Sequence, residues 1–119
     1  QSHQPVREMR EAVGHAVRAE YLYCAMADLA RIDNDEELKH ACKSIFNDIA
    51  TKKMYITGGV GSGAIGECFT EAYDLPNQYA YQESCAGIGL ALFAKRCKAF
   101  QYFFVILSRQ KPLHTIFLC

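Results

Sequence analysis

The side chains able to do chemistry gather in and around one glycine-rich stretch. Glu67 follows Gly66 and carries a carboxyl group that can give up and take back a proton. Glu83 and Cys85 lie two residues apart and offer an oxygen and a sulfur donor, two short of the four ligands usual for zinc. On a regular helix that spacing puts them about 200° apart, so they cannot face one ligand. They converge if the backbone is extended at Glu83 and a helix starts just after it. Ser84 would then be the N-cap and Cys85 the first helical residue, where the helix end favours a thiolate. The ordinary alternatives are a solvated loop carboxylate at Glu67 and a buried apolar filler at Cys85. His15 is expected in the middle of a helix, with Glu11 and Arg18 within a turn of it. A structural histidine is the ordinary reading there, although the small Gly14 and Ala16 leave room for a ligand.

Gly61-Ser62-Gly63-Ala64-Ile65-Gly66 fits G-x-G-x-x-G, the dinucleotide fingerprint. That motif works between a strand and a helix N-terminus, where free amides meet the pyrophosphate. Here it follows a helical pattern, with only Met54 to Thr57 as a short strand candidate, and no Lys-Ser/Thr pair follows it. Nucleotide binding is therefore a weak reading.

Three helices are expected to position these residues. The first starts at Pro5 and ends near Ile32 and Asp33, with Val6, Met9, Val13, Val17, Tyr21 and Cys24 recurring every three or four residues. Asn34 and Glu37 form a capping-box signature for the second, whose apolar face is Leu38, Ala41, Cys42, Ile45, Phe46 and Ile49. Lys52 and Lys53 suit its negative end. A short turn between the two implies an antiparallel hairpin. From Tyr55 to Asn77 the chain reads as a tightly turned loop, because glycine occupies positions 58, 59, 61, 63 and 66. The third helix runs from about Ser84 to Lys98 with Ile88, Leu92 and Phe93 inward; the remainder shows no clean period.

The 119 residues have the length of one ordinary domain, and half are apolar. Thirteen basic and 13 acidic residues cancel, which argues against a broad footprint for nucleic acid or anionic membrane. The longest apolar run, Phe103 to Leu107 extended by Phe100 and Tyr102, falls far short of the ~20 residues of a spanning helix. Six scattered cysteines and no signal-peptide pattern favour reduced thiols and, weakly, the cytoplasm. The chain starts without methionine, so both ends read as truncation points.

Several separated blocks together resemble one family. HQPVREMREAVGHAVRAEYLY, KKMYITGGVGS, GECFTEAYDLPN and AYQESCAGIGLALFAKR are similar, in this order, to catalytic-domain segments of glycoside hydrolase family 127, the β-L-arabinofuranosidases. The resemblance spans residues 3 to 97 and implies an all-α fold, part of an (α/α)6 barrel, with an oligosaccharide substrate. It implies release of terminal β-L-arabinofuranose with retention, by a zinc-bound cysteine nucleophile and a glutamate acid/base. Glu67 matches that glutamate, Glu83 and Cys85 match the first two zinc ligands, and His15 matches a sugar-contacting histidine. The other two ligands in the family are adjacent cysteines downstream, one of them the nucleophile, and this chain has no adjacent cysteine pair. Residues 1–97 are thus expected to be a partial catalytic domain. Residues 98–119 are expected to be a divergent tail, from a frame shift, an unspliced intron or truncation.

By itself the chain is expected to be inactive; the alternative is a non-catalytic carbohydrate-binding remnant of the same fold. Ten apolar side chains left without barrel neighbours would forfeit about 15–30 kcal/mol of burial, so self-association is expected.

Overall fold

The computed structural model describes residues 2–98, so the expected divergent tail falls almost wholly outside the described residues. Three helices carry the structure: α1, Ala16–Ile32; α2, Glu36–Asp48; and α3, Ser84–Lys98. A single 3-10 turn, Val6–Glu8, precedes them, and α2 runs on into a π-helical turn, Ile49–Lys53. The two-residue strands β1, Gly14–His15, and β2, Cys68–Phe69, pair antiparallel, with Gly14 opposite Phe69 and His15 opposite Cys68.

α1 starts some ten residues later than its periodicity suggests. Gly14 takes φ +76°, a left-handed conformation that interrupts a helix. The amides before α1 find tertiary partners instead: Ala12 N–H donates to Asp48 Oδ2 at 2.9 Å and Ala16 N–H to the Glu67 carbonyl at 2.9 Å. His15 is consequently the N-cap of α1 rather than a mid-helix residue. Asn34 is not the cap of α2 either. It takes φ +52°, and Asp35 caps the helix by accepting from the Leu38 amide at 3.0 Å.

The core lies where α1 meets α2 and α3. The expected face of α2 is buried as read, from Leu38 to Ile49. α1 buries a stripe of mostly small residues, Ala16, Ala19, Glu20, Tyr23, Ala27 and Ala30, and leaves Tyr21 61% exposed. Small side chains let α3 approach closely. α3 meets them with Ala86, Gly89, Leu90, Phe93 and Cys97, whereas Ile88 and Leu92, expected inward, point to solvent. Phe93 stacks obliquely on Tyr23 and edge-on against Phe46, with centroids 5.5 and 6.0 Å apart.

Candidate active site

The glycine-rich stretch folds into two small turns that hand side chains to one place. Tyr55 and Gly59 close the first, with Met54 bridging Val60. The second is closed by Gly63 and Cys68, whose amides and carbonyls pair at 3.1 and 3.0 Å. A Cβ at Gly63 would lie 2.9 Å from the Cys68 sulfur and 3.1 Å from its carbonyl, so a larger residue there would push Cys68 away and loosen this pairing. Gly66 and Glu67 turn the chain with φ +77° and +49°, and β2 follows. The fingerprint-like run therefore leads into a turn and a strand, not into a helix N-terminus.

Glu67 is set beside His15 by main chain as well as side chain. The Glu67 carbonyl accepts from Ala16 N–H, and β1 pairs with β2 immediately beyond. The His15 Nε2–Glu67 Oε2 separation is 3.0 Å. His15 Nδ1 accepts from the Arg18 amide at 3.5 Å, which leaves the ring proton on Nε2 to be donated to the carboxylate.

Glu83 immediately precedes α3, and its carbonyl accepts the Ala86 and Gly87 amides. The helix starts at Ser84, as its pattern suggests, so Ser84 is its first residue rather than its N-cap and Cys85 its second. The backbone leading to Glu83 is tied to the glycine stretch by Tyr81 N–H to the Ser62 carbonyl and Gln82 N–H to the Gly61 carbonyl, at 3.1 and 3.0 Å. The Tyr81 hydroxyl donates to Glu83 Oε2 at 3.1 Å. Tyr81 also shares a hydrogen bond with Glu67, and the bonds to Glu67 and then Glu83 push its phenol up to about 12. His15, Glu67, Tyr81 and Glu83 thus form one connected chain of contacts. Sequence reading missed Tyr81, whose only signal is its place two residues before Glu83.

Cys85 is an exposed free thiol in the first turn of α3. As a carboxylate and a thiol, Glu83 and Cys85 are donors of the kinds zinc accepts. Among the described residues, no group of three or more potential ligands could hold a metal ion. The two are at most part of a zinc site. Cys24, Cys42 and Cys97 are buried free thiols, raised by desolvation, and pack as apolar residues.

The β-L-arabinofuranosidase GH127 catalytic-domain family matches residues 1–99. The non-reducing end β-L-arabinofuranosidase of Bifidobacterium longum subsp. longum is 42% identical over 96 residues, 81% of this chain and 15% of that protein. The crystal structure of a family 127 β-L-arabinofuranosidase from Geobacillus stearothermophilus T6 superposes with TM-score 0.83 at 52% identity, over 86% of this chain and 16% of that one. A second family 127 β-arabinofuranosidase structure gives TM-score 0.79 at 50% identity, over 81% of this chain and 15% of its own. The chain thus spans about one sixth of the length of these relatives, and its three helices are a part of their helical domain. With a family match along most of its length and a shared fold at half identity, this chain belongs to the glycoside hydrolase family 127 catalytic domains.

Proposed function

We propose that this segment supplies the acid/base side of a retaining glycosidase site acting on terminal β-L-arabinofuranosides. The observation that carries the reading is the convergence of Glu67 and Glu83 on the Tyr81 hydroxyl, with His15 against the Glu67 carboxyl.

A retaining glycosidase needs one group that protonates the leaving oxygen and then deprotonates water, opposite a nucleophile. Glu67 fits the first role. The Tyr81 hydroxyl, which bonds both Glu67 and Glu83, ties the two carboxyl groups together and fixes Glu67 facing the same space as Glu83. His15, donating to Oε2, orients the carboxyl, and its partly exposed ring can also meet a sugar hydroxyl. Glu83 and Cys85 would be two ligands of a zinc ion whose other ligands, and the attacking cysteine, lie outside the described residues. Zinc, when bound, would keep a sulfur nucleophile deprotonated at neutral pH.

Joined to the remainder of a family 127 catalytic domain, the segment should hydrolyse an aryl β-L-arabinofuranoside. Proton NMR of the first-formed sugar should show the β anomer. Glu67→Gln should reduce kcat by at least about 100-fold, in line with general acid/base contributions. An α product, or a Glu67→Gln enzyme at full rate, would overturn the assignment.

A further inference from the structure

A buried ion pair at the end of α2 closes on a backbone that has no secondary-structure partner. Asp48 and Lys53 each have 4% of their side chain exposed, and their Oδ2 and Nζ atoms lie 3.0 Å apart. Between them sits Ala12, itself fully buried. Its N–H donates to Asp48 Oδ2 at 2.9 Å, and its carbonyl accepts from Lys53 Nζ at 2.7 Å. One acid–base pair thus satisfies both polar groups of a single peptide residue.

The π-helical turn makes this possible. In an α-helix a residue five positions on is turned about 140° away. Widening Ile49–Lys53 to π geometry brings both lysines over Asp48: Lys52 Nζ reaches Oδ1 at 3.3 Å and Lys53 Nζ reaches Oδ2 at 3.0 Å. Glu11, at 3.7 Å, is the other carboxylate facing Lys53. A buried ion pair is a poor device for stability alone, because desolvation offsets most of its attraction. Such a pair suits holding a chain in one register. The chain it holds runs from Ala12 through Val13 into β1, which ends at His15.

We propose that Asp48 and Lys53 are positioning residues for His15, clamping Ala12 so that β1 enters α1 with the imidazole against Glu67. The functional meaning rests on the reading of His15 as a sugar-contacting residue; the clamp itself does not.

The test uses the full chain and hydrogen exchange followed by mass spectrometry, which tolerates self-association. The amide of Ala12 and the slow C2–H of His15 are read beside peptides carrying Tyr23 and Phe93 as core controls. In Asp48→Ala, which removes its acceptor, the Ala12 amide should exchange at least about tenfold faster, the loss of one well-made hydrogen bond. In Lys53→Met, which frees the Ala12 carbonyl and leaves Asp48 alone on the amide, it should also exchange faster, by less. The His15 C2–H rate should shift toward that of free imidazole, with the core peptides still protected. The double variant Asp48→Asn with Lys53→Gln keeps an acceptor and a donor without charge, and should restore both rates. An unchanged His15 rate when Ala12 opens overturns the proposal. So does loss of core protection in step with His15 in all three variants, which would make the pair a fold element only. No sugar enters the measurement, so absence of hydrolysis in the complete enzyme would count against the glycosidase reading and leave this result standing.

Discussion

Replacing Glu20 by methionine should stabilise this chain, and by an amount that depends on pH. Glu20 lies on α1 with no exposed surface, and neither carboxyl oxygen has a hydrogen-bond partner among the described residues. Burial pushes its carboxyl from 4.5 up to about 8. The sign follows from proton binding. Below 4.5 the group is protonated folded and unfolded, and it costs nothing electrostatically. From 4.5 to about 8 the unfolded chain releases the proton while the folded chain keeps it, so stability falls as pH rises. Above about 8 both forms are ionised and the full penalty applies.

At ~1.4 kcal/mol for each tenfold change in proton affinity, the interval amounts to ~5 kcal/mol, of which ~3 is already present at pH 7. Tyr23, pushed up to about 12, and Cys24, also raised, stay neutral near pH 7 and do not obscure the slope. Glu20→Met removes the charge and keeps an unbranched side chain; Glu20→Gln removes the charge but leaves a buried amide without partners. Urea unfolding followed by circular dichroism from about pH 5 to about pH 8, below the range where the buried thiols Cys24, Cys42 and Cys97 add a decline of their own, should show a declining wild-type stability and much flatter profiles for both variants. Methionine should lie above glutamine. A wild-type profile as flat as that of Glu20→Met would refute the reasoning, and so would a Glu20→Met chain less stable than wild type at pH 8.

Gly89→Ala should destabilise by ~1–3 kcal/mol, because the added Cβ would collide with the buried Glu20 side chain. In a Glu20→Ala background most of that cost should vanish, a coupling that a double-mutant cycle in urea measures. In the complete enzyme, His15→Ala should raise KM for an arabinofuranoside about tenfold, the worth of one good hydrogen bond, with a smaller change in kcat. Tyr21, Leu29 and Ile32 on α1 and Ile88 and Leu92 on α3 are between 40% and 65% exposed, so sedimentation velocity of the isolated chain should show concentration-dependent association. A monomer across the accessible range would contradict that.

The bounds of α3 were legible, and so was the buried face of α2. The inward face of α3 was legible only at Phe93, because small Ala86 and Gly89 pack against α1 where Ile88 and Leu92 were expected. α1 misled for two reasons. Val6, Met9, Val13 and Val17 mimic a helical stripe, yet the amides of Ala12 and Ala16 between them are bonded to Asp48 and Glu67, partners far away in sequence. The helix then buries alanines where the larger Val17 and Tyr21 marked the expected face, since close approach by Gly89 favours small residues. Within the site, Glu67, Glu83 and His15 were named from residue type and resemblance. Tyr81 was not, because its role lies in two side-chain contacts that no periodicity encodes. The same holds for Lys53: a lysine at the end of a helix reads as solvated, and only the π turn carries it inward over Asp48.

The central claim is that the Glu67 carboxyl moves the proton. It is tested most directly by Glu67→Ala in the complete enzyme, assayed on aryl β-L-arabinofuranosides whose leaving groups span a range of acidity. Without the acid, rates should collapse for poor leaving groups and persist for the best ones. Added azide, which needs no general base, should raise turnover and yield the β-glycosyl azide. A uniform rate loss across all leaving groups, with no azide product, would show that Glu67 does not carry the proton.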